Sequence, residues 1–357
     1  MPTIAELALS TQNELAAALI DATYLENVVI NQFEALPMMG TKFDSLVWKT
    51  DPAAVGFLRR GTGYTHTAGA LAKGEVQASR VGMLVKEACS TVDEFDRNLA
   101  KAGITGIAGW LQQTAAGRLK SEFSNVEKQI FYGTANDTIG FQGLKQICSY
   151  VAANVLATTD GPEASSYAKS VINAGGVTSN IASSVYTVNM APSAVHLRVG
   201  GGQGMAGFLA LSEIKRQLFE DSSGSGTWQE HYYGTAEGYI GLNVGGSGET
   251  YADRTYVQYD VRRLANLTVL VPLTEALLDT LIESHPDGHK PNIIFMGKRS
   301  QRQLRDSRNS NVQKTFDMSA GTAQSRTLTT RAPLPESHNG VPIVATDKIL
   351  ATDAIES

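Results

Sequence analysis

The sequence predicts an α+β fold in which one long helix and several separated strands share the chain with a long glycine-rich hairpin. Residues 104–130 carry apolar side chains at steps of three or four, which is the period of one helix face. Strand-like stretches lie on both sides of this helix without regular alternation with further helices. A glycine-rich segment before the helix joins two strand-like stretches and is too long for an ordinary loop.

The composition is that of a folded, mildly acidic chain. Its 357 residues are 42% hydrophobic and 18% charged, which excludes a disordered chain. We expect no membrane span and no secretory signal. The formal net charge of -5 disfavours tight sequence-specific DNA binding, although an acidic shell can still enclose DNA. Cys89 and Cys148 are too few for a disulfide framework or a metal cluster, so we expect two reduced thiols.

The first forty residues predict a helical arm. Thr11 and Glu14 have the spacing of a capping box, and apolar residues recur near helical spacing through residue 25. Pro37 and Gly40 end the pattern. Such an arm has little to pack on by itself, so we expect it to dock on other parts of the chain or on other copies.

Two strand-like stretches, 41–50 and 75–88, flank a segment rich in glycine and short polar residues. The flanking strands favour a long two-stranded arm over a loop. Because an isolated two-stranded arm is marginal in water, we expect it to lean on a neighbour.

The clearest element is the helix at 104–130. A continuous helix over this range is about 40 Å long at the standard rise per residue. Its glycines, Gly106, Gly109 and Gly117, weaken it by roughly 1 kcal/mol each relative to alanine.

The rest of the chain predicts a mixed α/β region after an irregular stretch from 133 to 185. The predicted elements are strands at 183–190 and 194–199, a helix at 208–221, loops with short strands at 221–256, strands within 255–271, a helix at 272–284, a turn at 285–291, a strand at 292–297, a basic helix at 298–307 and a final strand at 340–350.

A glycine run is the strongest indication of an enzyme. Gly202, Gly204 and Gly207 satisfy the dinucleotide-binding pattern G-x-G-x-x-G, and Glu220 and Asp221 lie near the distance expected for a ribose-binding acid. However, that acid should end a second strand, whereas a flexible serine–glycine segment follows here. We interpret the run as a glycine-rich turn and keep an NAD-dependent enzyme as a remote alternative.

A metal site has little support. His285 and His289 have the i, i+4 spacing of metal ligands on a helix, but Pro286 and Gly288 predict a turn at this position. No G-x-S-x-G motif marks a nucleophile. We therefore predict no enzyme, no cofactor, no metal and no catalytic residue.

Arginines cluster at two kinds of position. The basic helix places Lys298, Arg299, Arg302, Arg305 and Arg308 on one face, which favours a solvated or inter-subunit surface over a phosphate site.

The paired arginines at 59–60 and 262–263 suit charge pairing across interfaces if they lie on an arm or an edge strand. We predict as inter-subunit contacts Arg59, Arg60, Tyr64, Lys73, Arg299, Arg302 and Arg305.

The order of these elements resembles the Hong Kong 97-type fold of tailed-phage major capsid proteins and encapsulins. Three local patterns also resemble phage major capsid sequences, namely FYGTANDTIGFQGL at 131–144, YDVRRLANL at 259–267 and GVPIVATDKI at 340–349. The resemblance spans almost the whole chain, but each motif is short, so the order of elements carries most of its weight.

The resemblance implies a domain layout. Residues 1–45 would be the N-terminal arm, 46–88 the extended E-loop hairpin, 89–160 the P-domain with its spine helix, 161–335 the A-domain and 336–357 the final P-domain strand.

The resemblance also implies a function. Copies of the chain would form hexamers and pentamers that close into an icosahedral shell around phage double-stranded DNA, which the shell contacts non-specifically. A separate scaffolding protein, a portal and a decoration protein would be partners, and no membrane is involved. The protein would be part of the virion capsid and assemble in the host cytoplasm. Alternatives are an encapsulin-like nanocompartment shell or another virion structural protein.

Overall fold

A computed structural model gives the fold of the chain. It describes residues 27–38, 42–50, 70–90, 106–150, 155–156, 169–200, 210–211, 214–220, 226, 228–244, 260–309 and 333–356. Residues 1–26 of the predicted arm and residues 51–69 of the predicted hairpin lie outside these residues, whereas the end of the arm forms a 3-10 turn at Ile30–Gln32 and a short strand at Ala35–Pro37.

The described strands and helices follow the α+β prediction. The strands are β1 (Ala35–Pro37), β2 (Lys42–Thr50), β3 (Ala70–Gln77), β4 (Ser79–Ala88), β5 (Val155–Leu156), β6 (Val171–Asn173), β7 (Ser183–Val188), β8 (His196–Gly200), β9 (Ala210–Leu211), β10 (Lys215–Glu220), β11 (Trp228–Asn243), β12 (Val261–Leu267), β13 (Ile293–Gly297), β14 (Ser337–His338) and β15 (Val341–Thr346). The α-helices are α1 (Gly106–Tyr132), α2 (Leu144–Ile147), α3 (Glu275–Glu283) and α4 (Lys298–Asn309).

The chain divides into two compact units, each made of two chain segments. The first contains Met1–Ile147 and Met190–Val257, and the second contains Cys148–Asn189 and Gln258–Ser357.

The first unit is built around strand β11. One edge of β11 pairs antiparallel with β4 from residue 231 to 240. Strand β11 also pairs antiparallel with β10, then with β9 and then with β8. Strand β1 pairs in parallel with β8. A strand of this length can serve several short partners because each uses only part of its hydrogen-bonding edge.

Helix α1 confirms the predicted spine helix. The predicted apolar stripe is buried from residue 115 onward, at Ala115, Leu119, Phe123, Val126 and Ile130. The helix packs on β4, because one apolar stripe at helical spacing needs one apolar surface to cover it.

The chain leaves the spine helix through a tight, glycine-dependent turn. Gly133 has a φ of +58°, which favours glycine. The side-chain oxygen of Gln146 accepts from the backbone nitrogens of Thr134 at 3.0 Å and of Gly143 at 3.2 Å. A Cβ at Gly143 would overlap the backbone of Gly133. The motif at 131–144 is therefore explained by close backbone contact.

Strands β2 and β3 form a two-stranded hairpin as predicted, but its second strand begins at Ala70, inside the segment predicted to connect the two strands. They pair antiparallel from Lys42 opposite Gln77 to Thr50 opposite Ala70, and form a two-stranded sheet. The second predicted strand, 75–88, is divided at residue 78 into the end of β3 and all of β4.

The second unit is a mixed seven-stranded sheet in the order β14-β15-β13-β7-β12-β6-β5. Strands β7, β12 and β13 are buried at every residue. Helices α3 and α4 contact β12 and β13. Side chains from both helices join the apolar core of the sheet, whose largest members include Leu264, Leu278, Ile294 and Leu304.

The helix predicted at 272–284 is present as α3, which begins three residues later, at Glu275. Pro272 precedes it, and the Thr274 side chain caps it by accepting from the backbone nitrogen of Leu277. None of the helices in the described part of the chain has the length and hydropathy needed to cross a membrane.

Two predictions for the middle of the chain are wrong. The helix predicted at 208–221 is replaced by strands β9 and β10, and the region predicted as loops with short strands at 221–256 contains the single sixteen-residue strand β11. The alternating burial along β11 is a period-two pattern. Its glycines and tyrosines indicated loops in the sequence, but pairing on both edges outweighs their weak local preference.

The compact units and the predicted capsid regions divide the chain differently. Strand β15, in the predicted final P-domain strand, pairs in parallel with β13 of the second unit. Residues 190–257, predicted within the A-domain, belong to the unit of the spine helix. The predicted regions are defined by their places in a shell, so their bounds stay a prediction.

Candidate assembly site

The predicted inter-subunit residues do not gather at one place in the described chain. Arg59, Arg60 and Tyr64 lie outside the described residues. Lys73 is on β3, opposite Leu46 of β2. The three remaining residues, Arg299, Arg302 and Arg305, are all on helix α4.

Arg299 is used within its own unit. Its guanidinium donates to the carbonyl oxygens of Ala351 at 2.9 Å, Ile181 at 2.8 Å and Leu267 at 3.1 Å. Burial lowers the pKa of this guanidinium below its ordinary value. Arg299 therefore holds three separate backbone segments together, and this role was not predicted.

The rest of the basic face is mixed. Arg302 is exposed, and Arg305 pairs with its neighbour Asp306 at 3.1 Å. Arg308 donates to Glu275 at 2.6 Å, which ties the last turn of α4 to the first turn of α3. Arg302 is thus the predicted contact on this helix that the structure leaves most accessible.

A second polar link joins α3 to the β14–β15 hairpin. Nδ1 of His338 accepts from Arg308 at 2.7 Å, and its Nε2 donates to Asp279 at 2.7 Å. The side chain of Asn339 also donates to Asp279, at 2.7 Å. These contacts fix α3, α4 and the hairpin to one another through buried His338.

Arg262 and Arg263 do not meet the condition of an arm or edge strand under which they would suit an interface. Both side chains are fully buried in β12, a central strand and not an edge strand. Adjacent strand residues point to opposite faces of a sheet. Arg262 accordingly donates to the carbonyl oxygen of Ser284 at the end of α3, whereas Arg263 reaches Glu356 on the other side.

Arg263 is the centre of a compact ion-pair site. It binds both carboxylate oxygens of Glu356, at 2.7 and 2.8 Å, and also donates to Ser184 at 3.1 Å. Two parallel bonds from a guanidinium to a carboxylate are among the stronger hydrogen-bonded pairs. Burial acts to lower the pKa of Arg263, but Tyr186 and Glu356 outweigh burial and raise it.

The same site anchors residues 350–356, which we call the tail segment. Asn266, at a φ of +60°, exchanges hydrogen bonds with the backbone of Glu356 at 2.8 and 3.0 Å. Asp353 forms an antiparallel bridge with Ala182. The side chain of Ser183 donates to the carbonyl oxygen of Leu350 at 2.9 Å. The tail segment is therefore fastened along its length to β7 and β12.

The two spaced histidines serve a turn, as the sequence predicts. Nδ1 of His285 donates to the carbonyl oxygen of His289 at 3.0 Å, and its Nε2 accepts from Thr187 at 2.9 Å. His289 binds Asp260 at 2.8 Å. The described residues include no group of three His, Cys, Asp or Glu side chains placed to hold a metal.

The described residues that follow the glycine motif do not form the helix that nucleotide binding needs. Residues 201–209 lie outside the described chain, but the segment that follows contains β9 and β10. A dinucleotide site requires a helix at this position, because the helix N-terminus receives the pyrophosphate. The expected helix is absent from residues 210–211 and 214–220.

The described part of the first unit holds a buried histidine, His196 on β8. Burial and, to a smaller extent, the positive charge of Arg198 lower its pKa to about 4, while the backbone of Ala191 acts in the opposite direction. His196 is almost completely buried. It is therefore held neutral inside the sheet at pH 7.

Sequence reasoning missed the partners of the buried arginines. A charged pair inside an otherwise apolar strand stretch, YDVRRLANL, is itself a signal, because a buried arginine must be paired. The sequence offers no way to find Glu356 as the partner, since 93 positions separate it from Arg263.

These features define a class of protein by its fold. A long spine helix, a two-stranded hairpin and a mixed sheet covered by two helices are the elements of the Hong Kong 97-type fold, and the chain has this fold.

A structure of bacteriophage epsilon15 matches with a TM-score of 0.55 and 14% identity, over 91% of this chain and 88% of the other. At this identity the likeness shows the fold alone.

Two further similarities are weaker. A procapsid structure of bacteriophage JBD30 has a TM-score of 0.39 and 10% identity, over 93% of this chain and 96% of the other. A virus-like particle from Pyrococcus furiosus has a TM-score of 0.33 and 10% identity, over 70% and 96%. Neither supports an assignment at these scores. No family model matches the sequence, and no curated protein matches it.

Proposed function

We propose that this chain is the major capsid protein of a tailed phage. Copies assemble through hexamers and pentamers into an icosahedral shell that encloses double-stranded DNA. The observation that carries the proposal is the Hong Kong 97-type fold, matched over 91% of the chain. The protein acts by assembly and catalyses no reaction.

The hairpin supports an assembling protein on physical grounds. Strands β2 and β3 pair with each other alone among the described strands. A two-stranded sheet is marginal in water without a surface to cover it. A neighbouring copy supplies that surface in a shell, and many such modest contacts add up through multivalency. Lys73 on β3 and the accessible Arg302 on α4 are proposed contacts between copies.

The proposed partners follow from the same role. A separate scaffolding protein, a portal and a decoration protein act with the shell in the virion, and assembly takes place in the host cytoplasm. The net charge of -5 is consistent with a shell that encloses DNA without binding it tightly. The absence of the predicted helix after the glycine motif argues against the NAD-linked alternative.

Electron microscopy and light scattering of the purified full chain test the proposal. We expect closed shells, capsomer rings or tubes, with or without a co-expressed scaffolding protein. A shortened-hairpin variant replaces residues 51–69 by Asn-Gly. Thr50 and Ala70 are paired, and this dipeptide favours a tight hairpin turn.

The shortened-hairpin variant is expected to fold but not to form shells. Normal shells formed by this variant would show that residues 51–69 are not needed for assembly. A full chain that stays monomeric at high concentration, with scaffolding protein present, would overturn the proposed function. Particles purified from the native source should contain DNA, whereas particles filled with a protein cargo would favour a nanocompartment.

A further inference from the structure

The turn between strands β14 and β15 is an asparagine followed by a glycine. Asn339 and Gly340 connect the two strands at φ values of +49° and +80°, and both residues are exposed. This sequence is typical of a tight hairpin, because both turn positions need a positive φ. Asn339 and Gly340 are also the one Asn-Gly pair among the 357 residues.

An Asn-Gly pair can lose its side-chain amide without a catalyst, and asparagine is a thermolabile residue for this reason. The backbone nitrogen of the glycine attacks Cγ of the asparagine, so a bond forms between these two atoms and the Cγ–Nδ2 bond breaks. Nδ2 leaves as ammonia with the proton that the attacking nitrogen gives up. Water then opens the five-membered imide at either carbonyl, which leaves an aspartate or an isoaspartate.

The fold leaves the attacking nitrogen accessible. A Cβ placed on Gly340 would find no heavy atom within 4 Å. Among the described residues, no backbone carbonyl accepts a hydrogen bond from the Gly340 nitrogen. Within this part of the chain, the attack therefore meets neither a crowding side chain nor a competing backbone hydrogen bond.

Two other asparagines provide an internal comparison. Asn180 and Asn266 have φ values of +62° and +60°, close to the value at Asn339. They are followed by Ile181 and Leu267, whose branched side chains crowd the nitrogen that would attack. The backbone conformation is shared by all three asparagines, so the following glycine is what distinguishes Asn339.

The amide of Asn339 holds the turn against helix α3. Its Nδ2 donates to Oδ1 of Asp279 at 2.7 Å, and Nε2 of His338 donates to the same oxygen at 2.7 Å. Conversion of the amide to a carboxylate removes one of these two donors. It also places a second negative charge beside Asp279, and two carboxylates at one site repel each other.

We propose that Asn339 is a site of spontaneous deamidation, and that its conversion releases the β14–β15 turn from helix α3. The bond to Asp279 restrains the amide, because the imide ring closes only when Cγ is free to turn toward the Gly340 nitrogen. Asp279 therefore slows the reaction in the folded chain. The inference does not depend on the proposed capsid function, since every reacting group belongs to one chain and the co-reactant is water.

Tryptic peptides measure the conversion directly. Cleavage after Arg331 and Lys348 releases residues 332–348, which contain Asn339 as their one asparagine and no glutamine. A mass gain in this peptide that corresponds to replacement of NH2 by OH therefore reports on Asn339 alone. The folded full chain and the same chain in urea are incubated at mildly alkaline pH and sampled over time.

Asn339 should convert before Asn180 and Asn266 in the folded chain, and more slowly there than in urea. Asn339 that stays intact in the folded chain after the urea sample has converted, or that lags behind Asn180 and Asn266, would overturn the proposal.

The restraint by Asp279 has its own test. Asp279→Ala should raise the rate in the folded chain at least about tenfold, because it removes a hydrogen bond to a charged acceptor. The matched control is Asp287→Ala, at an exposed aspartate of the same unit, which should leave the rate unchanged. Equal rates in the two variants would show that Asp279 does not restrain the amide.

Hydrogen exchange of peptides from β14 and β15 tests the release. Asn339→Asp places the product carboxylate at the turn and should raise exchange at least about tenfold. Adding Asp279→Asn restores one amide and one carboxylate across the contact, so exchange should return toward the wild-type rate. Asn339→Gly keeps the turn without a charge and should raise exchange less than Asn339→Asp. Unchanged exchange in Asn339→Asp, or no recovery in the double variant, would overturn the release.

Discussion

Removing the carboxylate of Glu356 should destabilise the second unit by about 2–3 kcal/mol. Cutting one partner from a buried ion pair costs roughly 3–5 kcal/mol, because the other charge stays buried without its partner. Arg263 is 2% exposed and Glu356 is 22% exposed, so partial access of water reduces the loss. Arg263 also keeps its bonds to Ser184. These two effects place the expected cost of Glu356→Ala at or below the lower end of that range.

Three further variants isolate the charge from the shape. Glu356→Gln keeps one acceptor oxygen and should cost about 1 kcal/mol. The double variant Arg263→Met with Glu356→Ala should be no less stable than Glu356→Ala alone, because it removes the stranded buried charge. Glu275→Ala is the matched control, since its pair with Arg308 is more exposed and should contribute about 1 kcal/mol or less.

The assay must report on the unfolding of the second unit. All three tryptophans, Trp48, Trp110 and Trp228, belong to the first unit, so their fluorescence does not follow the tail segment. Urea unfolding of unassembled protein should be followed by circular dichroism, with hydrogen exchange of peptides from β7 and β12. A loss below about 0.5 kcal/mol in Glu356→Ala, or a double variant less stable than Glu356→Ala alone, would refute the reasoning.

Three other predictions follow from the described contacts. Burial lowers the pKa of His196 from its ordinary 6.5 to about 4. As the pH falls, the unfolded chain therefore binds the proton before the folded chain does. The free energy of unfolding should have its full value above pH 6.5 and fall by about 2–3 kcal/mol toward pH 4. Urea midpoints across this range should fall less steeply in His196→Gln, and an equal slope in both proteins would contradict the assignment. Glu127→Ala should cost about 1–3 kcal/mol in urea unfolding, because one carboxylate oxygen accepts from two buried backbone nitrogens, at 2.8 and 3.2 Å; unchanged stability would count against this anchor. Gly143→Ala should destabilise the helix exit by more than about 1 kcal/mol, whereas Gly117→Ala, with open space around its Cβ, should raise the melting temperature through an added stability of up to about 1 kcal/mol. The reverse order of the two melting temperatures would show that the helix exit is not tightly packed.

Elements with a strong local signal could be predicted from the sequence. The spine helix follows from one apolar stripe with unbroken helical spacing, and α3 follows from Pro272 near its start. The strands at 183–188 and 293–297 are apolar stretches bounded by polar or turn residues. In each case residues within one or two turns of each other supply the main physical cause.

Only the tertiary structure decided the features that depend on distant residues. Strand β11 exists because β4, β8 and β10 pair with its edges, and its glycines and tyrosines alone indicated loops. The burial of Arg263 depends on Glu356, which no local pattern identifies. The sequence by itself therefore determined the local elements and the α+β class, while long-range pairing decided which charges are buried.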